Sequence, residues 1–307
     1  MGILNRPSDG LPSVLFALVR TLRALGPMPE AELLAICAPA ALQDHATTFE
    51  DGKQARQTLR RWRQLGLFEE IDGKIALSYE TRAVDMTELA GVFQLGGLLR
   101  KLVLSAQNNT QLNAPEGELA ADLTLALSWA LAQDVLTMPG GAYSELNELD
   151  IRQLPNPPSA FQNDTRWTGF KEWVPLLGFG WTESKGRGSL LVVDPSAAVR
   201  DVLPAIFKSR KELPIDEFTE AIALEIPVLD GGVYRRAVEG RLEPGTWRPT
   251  QPHEISVSLS VALQRLDVLD VFRLVARADA PKRTLLGRGF REIGQVSHVV
   301  LEGGRHA

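Results

Sequence analysis

The chain has 307 residues and a formal net charge of −5, and its apolar and charged fractions of 44% and 23% are those of a globular protein. That length exceeds one ordinary hydrophobic core and suits two or three domains. The single cysteine, Cys37, excludes an intramolecular disulfide and a cysteine-rich metal cage, and the net acidity means that any nucleic-acid contact has to come from local basic patches.

Arg6, Pro7, Ser8 and Asp9 precede any apolar run, and no apolar stretch approaches the ~20 residues needed to cross a bilayer. Neither secretion nor membrane insertion is expected, and a reducing cytoplasm fits the cysteine usage. Val14, Leu15, Leu18, Val19, Leu22 and Leu25 then recur at helical spacing until Gly26-Pro27 ends the run. Glu30 to Cys37 reads as a second, shorter helix stopped by Pro39.

The third helix, from Asp51 to Gly66, carries two stripes. Ala55, Leu59, Trp62 and Leu65 form an apolar face, while Lys53, Arg56, Arg60 and Arg63 form a basic one about 100° away around the axis. Gly66 is placed to stop the helix, and Leu67 to Ile71 and Lys74 to Leu77 flank Asp72-Gly73, a dipeptide suited to a two-residue primed turn. Three helices followed by a hairpin predict a winged helix-turn-helix over residues 1–82.

Asp85 to Gln107 and Pro115 to Leu136 read as two Leu- and Ala-rich helices joined by the polar turn Asn108-Asn109-Thr110, a helical pair spanning 83–138. Gly96-Gly97 predicts either a break or a close backbone approach, and the leucines are either internal core or a face for a partner. Turn formers from Pro139-Gly140-Gly141 to Asn156-Pro157-Pro158 predict a linker over 139–163. A second pass through the motif follows at 164–230: Trp167, Phe170, Val174 and Leu177 at helical spacing, Gly178 as a stop, and strands around Ser184 to Gly188.

A third copy is expected over 231–307. Ile255, Leu259, Ala262, Leu263 and Leu266 predict its helix, Val271 to Ala278 and Arg283 to Leu286 its hairpin around Asp279 to Lys282, and Val296 to Leu301 a closing strand. The expected fold is therefore mostly α with small β-hairpins, in the α+β class: tandem winged helix-turn-helix units packed with helical connectors.

For the basic helix the functional reading is entry into a DNA major groove, with Lys53, Arg56, Arg60 and Arg63 on phosphates or guanine edges and Gln57 and Gln64 available to adenine. The competing reading is a solvated helix face in a domain that binds protein, and Glu69, Glu70 and Asp72 in the wing would repel a phosphate backbone. Trp62 reads as core. Lys185 and Arg187 sit on a glycine-rich hairpin that joins two strands, the wrong context for a nucleotide loop but a fit for a wing tip in a minor groove. In the basic C-terminal third, Lys282, Arg283, Arg288 and Arg291 are the candidates for phosphate contact, the other arginines being interleaved with acids. His45, His253, His298 and His306 lack metal-site spacing, and no P-loop, nucleophile elbow or dinucleotide fingerprint is present, so neither a metal, a cofactor nor an enzymatic activity is expected.

The opening Ile3-Leu4-Asn5-Arg6-Pro7-Ser8-Asp9-Gly10-Leu11, followed by an apolar helix and a winged helix, resembles the DpdG proteins of the bacterial gene clusters that insert and exploit 7-deazaguanine derivatives in DNA. The specific part of the resemblance covers about the first 25 residues. It implies a cytoplasmic accessory protein of a DNA modification and restriction system in genome defence, working with other subunits, and it carries over no catalytic residue. The leading reading is a non-enzymatic multi-winged-helix protein that contacts double-stranded DNA or DNA-bound partners. A protein-binding scaffold without direct DNA contact is the alternative, and a free-standing transcriptional regulator is a third.

Overall fold

Side-chain spacing and a few glycines determine most of the local structure. The computed structural model describes residues 2–4, 12–38, 53–83, 89–112, 119–156, 158–185 and 188–301. The chain is α+β and divides into two units, one of residues 1–123 with 165–176 and one of residues 124–164 with 177–307. Among the described residues no helix is long and apolar enough to cross a membrane.

The first unit begins with α1 (Pro12–Leu25), α2 (Glu30–Cys37) and α3 (Lys53–Gln64). Leu15, Leu18, Val19 and Leu22 of α1 are buried together with Leu33 and Leu34 of α2 and Ala55, Leu59 and Trp62 of α3. Gly26 and Gly66, at φ 81° and 93°, stop α1 and α3 in the left-handed region that favours glycine. β1 (Phe68–Ile71) and β2 (Lys74–Leu77) pair in register from Phe68↔Leu77 to Ile71↔Lys74. Asp72 and Gly73 both take positive φ in the turn, as the primed type requires. Met28, between α1 and α2, bridges antiparallel to Ile75, so β2 lies between Met28 and β1.

After the short α4 (Tyr79–Arg82) comes α5 (Leu89–Leu104), which passes through Gly96-Gly97 without a break. A side chain at Gly96 would place its Cβ 2.4 Å from the Leu176 carbonyl oxygen, so the glycine permits a close backbone approach by α8 (Asp164–Leu176). Trp173 of α8 packs on Trp62 with ring centroids 5.2 Å apart, which fixes the inner face of α3. Asn108 and Asn109, expected as a polar turn, are buried: Asn108 donates to the Leu102 and Leu65 carbonyls and Asn109 to those of Val103 and Ser105. They satisfy the orphan carbonyls at the end of α5.

α6 (Ala121–Ala132) carries the division between the units, and every side chain along it is buried. That is the pattern of a helix that is apolar all round. The leucines of the 83–138 segment that are described on α6 are thus core, with no exposed apolar face there. Near its start the Asp122 carboxylate accepts the backbone N–H of Ile3 at 2.9 Å and of Leu4 at 2.8 Å, tying Ile3 and Leu4 into the first unit.

The second unit holds a helix that the sequence reading did not place: α7 (Tyr143–Gln153), inside the segment expected as a linker. Its Asp150 carboxylate is fully buried and accepts the N–H groups of Ala160 and Phe161 at 2.8 and 3.0 Å, and Phe161 meets Trp129 edge-on at 5.7 Å. Gly140 accepts a hydrogen bond from the Leu191 N–H at 2.9 Å. The turn formers here therefore shape an ordered connection.

β3 (Gly180–Lys185) and β4 (Gly188–Val193) form the expected antiparallel hairpin, followed by α9 (Ser196–Phe207), β5 (Glu212–Pro214), α10 (Ile215–Glu225), α11 (Val233–Glu239), β6 (Glu254–Ile255) and α12 (Val257–Val268). Of the residues expected in that helix, Leu259, Ala262, Leu263 and Leu266 lie in α12, while Ile255 lies in β6. The last strands are β7 (Arg273–Val275), β8 (Arg283–Leu286), β9 (Glu292–Val296) and β10 (His298–Val300).

β7 does not pair with β8, so the hairpin expected around Asp279 to Lys282 is not formed. β10 lies between β5 and β7, while β8 pairs with β9 and, in parallel, with β6. The order helix, strand, helix, helix, strand, strand, with the last strand central, is common to α1–Met28–α2–α3–β1–β2 and to α9–β5–α10–α12–β7–β10. In the second case α11 and β6 are inserted before α12, and β8 and β9 before β10. The helix expected to open a second copy, α8, falls in the first unit from Thr165 to Leu176, while β3 and β4 fall in the second.

Candidate nucleic-acid interface

The outer face of α3 is exposed and cationic. Ala55, Thr58, Leu59, Arg61 and Trp62 turn inward, and Lys53, Arg56, Arg60 and Arg63 are exposed, with Gln57 half-buried. Arg56, Arg60, Arg63 and Gln64 line an open cleft of about 500 Å³ with Leu59 at its base and Glu30 of α2 on its edge. Three of the four expected basic residues and the second glutamine therefore share one groove. Arg61 belongs to the opposite face and is only 7% exposed, a departure that the 3.6-residue period already implies.

The acids around this face are largely answered by neighbours. Arg63 pairs with Glu70 of β1 at 2.5 Å, Glu69 pairs with Arg82 of α4, and Arg56 stands 3.9 Å from Glu30. Repulsion of a phosphate backbone by the hairpin is reduced accordingly. These pairs are solvent-exposed, and such pairs are worth ~0–1 kcal/mol, so a phosphate can displace a carboxylate at small cost. Arg60 has no ion-pair partner among the described residues. Over residues 1–82 lysine and arginine equal aspartate and glutamate, ten against ten, so the positive charge is local to α3.

The topological counterpart of α3 is built differently. α12 buries Val257, Ser258, Leu259, Ser260, Ala262, Leu263 and Leu266, with Ser258 donating to the Leu131 carbonyl at 2.7 Å and Ser260 to that of Ile255 at 3.1 Å. Its one cation, Arg265, pairs with Asp194 at 2.5 Å. α12 thus buries most of its surface, and the one cation that it presents, Arg265, is held by a carboxylate.

The remaining candidates are dispersed. Lys185 ends β3, and Arg187 lies outside the described residues. Lys282 is exposed, but it precedes β8 rather than capping a hairpin, and Arg283 beside it is engaged by Asp216 at 2.6 Å. Arg288 and Arg291 flank the β8–β9 turn, at the other end of that strand pair, where Gly289 donates to Asp134 and Arg248 lies over the Phe290 ring. Several further C-terminal arginines are spent on acids distant in sequence, such as Arg277 on Glu212.

A family model described as DpdG-like matches residues 1–280. The chain belongs to the DpdG-like family. No curated protein and no solved structure matches it. Membership of the DpdG-like family suggests an accessory of a 7-deazaguanine modification system.

Titratable groups shifted by their surroundings lie away from α3. Burial pushes the Asp122 carboxyl above the ordinary carboxylate range, against the hydrogen bonds from Leu123, Leu4 and Ile3 and the charge of Arg166. Burial also raises Asp150 and Cys37, the latter 3.4 Å from the Thr21 hydroxyl. A thiol raised in this way is a poor nucleophile. Among the described residues no three His, Cys, Asp or Glu side chains are grouped as a metal site.

Proposed function

We propose that this DpdG-like chain is a non-enzymatic, cytoplasmic accessory protein of a bacterial DNA modification and restriction system, and that it contacts double-stranded DNA through α3 of an N-terminal winged helix. The observation that carries this reading is the contrast between two helices in the same topological place: α3 presents four exposed cations along one face, and α12 presents a single one, Arg265, held by Asp194. The shared strand order, with the last strand central, supports reading the first unit as a winged helix-turn-helix with its third helix as the reader. The second copy then does not enter a duplex groove by its third helix, and other subunits of the defence complex are the chain's partners.

Recognition by α3 divides in the usual way. Arg56, Arg60 and Arg63 supply phosphate contacts and fix the register, and Gln57 and Gln64 supply base-edge donors and acceptors. The test is binding of a labelled duplex by fluorescence anisotropy across a range of salt concentrations. Arg56→Glu with Arg60→Glu should weaken binding and lower the salt slope by about one counterion per lost contact, with the fold intact because both side chains lie off the apolar face. Binding that the double substitution leaves unchanged would transfer the role to a protein-binding scaffold.

A further inference from the structure

In the second unit, β3, the first turn of α9 and the end of α12 enclose a cleft of about 190 Å³ whose lining includes Trp181, Asp194, Arg200, Arg265 and Leu269. Ligand pockets for drug-sized molecules run from about 300 Å³ upward, so this one is sized for a single ring system. Its apolar walls are unusually bare: Trp181 is 43% and Leu269 60% exposed. An open indole beside cations is a surface on which a planar ring can stack.

The polar wall is fixed in advance. Asp194 is only 5% exposed; one of its oxygens accepts the N–H of Ser196 at 2.9 Å and the Ser196 hydroxyl, and the other takes Nη1 of Arg265 at 2.5 Å. The carboxylate is committed on both oxygens and orients a guanidinium that is itself half-exposed, with its other N–H groups unpartnered among the described residues. Arg200, on the exposed side of α9, adds a second cation with no ion pair among the described residues. Two cations against one buried anion leave the cleft positive next to an indole face.

We propose that this cleft binds a nucleotide, the base stacking on Trp181 and the phosphate meeting Arg200 and Arg265. Stacking on an aromatic side chain with arginine at the backbone is the general chemistry of unpaired nucleotides, tolerant of base identity. The source is either a free nucleotide or an unpaired residue in a single strand. The site is separate from α3 and its fate does not depend on duplex binding there.

The experiment uses the full-length protein and two kinds of probe: guanosine and thymidine 5′-monophosphates by calorimetry, and a fluorescein-labelled oligothymidylate of about ten nucleotides by anisotropy. Trp181→Ala should weaken binding about tenfold, Arg200→Glu should weaken it comparably, and Trp181→Phe should retain most of it. Circular dichroism checks the fold of each variant. Binding of the monophosphates identifies a free nucleotide as the source, and binding of the oligonucleotide alone identifies the single strand. Absence of binding by every probe overturns the proposal. So does binding that responds to Arg56→Glu with Arg60→Glu but not to Trp181→Ala and Arg200→Glu.

Discussion

Replacing Asp150 by alanine tests whether residues 155–163 are held in place or hang as a linker. The carboxylate is fully buried and is the acceptor for the N–H groups of Ala160 and Phe161 at 2.8 and 3.0 Å. Each orphaned buried donor costs ~1–3 kcal/mol, and the loss is offset in part because burial already disfavours the charged carboxylate. The net destabilisation should be about 2–4 kcal/mol in urea denaturation, with Asp150→Asn intermediate because it keeps one acceptor oxygen. Hydrogen exchange locates the effect: the amides of Ala160 and Phe161 should lose protection first.

The pH dependence of this site has a definite sign. Since the folded-state pKa of Asp150 lies above the ordinary carboxylate value, the folded state holds the proton more tightly. The stability this group contributes is fully present below the ordinary value and is lost as pH rises through the raised one. The gap between the parent and Asp150→Asn should therefore widen on acidification. Unchanged denaturation together with unchanged protection at Ala160 and Phe161 would refute the reasoning.

Gly140→Ala should lower thermal stability by ~1–3 kcal/mol, because its Cβ would fall 2.0 Å from the Leu191 carbonyl oxygen, whereas Gly141→Ala, with only a Glu145 side-chain oxygen at 3.7 Å, should stay within ~0.5 kcal/mol of the parent in the same melt. Glu254 accepts two hydrogen bonds from Arg248, at 2.7 and 3.0 Å, which with the Gln251 N–H and the Arg248 charge hold its carboxyl below the ordinary range. Its stabilisation is present above the ordinary carboxylate pKa and lost as pH falls through the lowered one, so the melting-temperature deficit of Glu254→Gln should shrink in acid.

What the sequence disclosed was local. The change from a 3.6 to a 2.0 period at Gly66, and the Asp72-Gly73 turn, depend on neighbours only, and α3, β1 and β2 fall where they predict. α7 was hidden because glycine and proline dominate its flanks, while the residue that orders them, Asp150, acts on N–H groups ten positions or more away. β7 and β8 were read as partners because they are consecutive, yet strand pairing is settled by distant segments, and β10 takes the place beside β7.

The same limit applies to charge. Arg283 looked available, and Arg265 and Arg277 looked paired with acids nearby in sequence, but the partners Asp216, Asp194 and Glu212 are supplied from more than sixty residues earlier. Periodicity alone separated Arg61 from the outer stripe of α3, and the open cleft along Arg56, Arg60 and Arg63 follows from that stripe. The covering of α12, by contrast, depends on Leu131 and on β8, which no local pattern announces.

Contact between α3 and DNA is tested most directly by placing a photo-crosslinking residue at Gln57, in the half-buried position between Arg56 and Arg60, and irradiating the protein with a labelled duplex. An adduct at Gln57, with none when the same group stands at the exposed Ile151 of α7, is the result that groove entry by α3 predicts. No adduct at Gln57, under conditions where the duplex is bound or where it fails to bind at all, would contradict it.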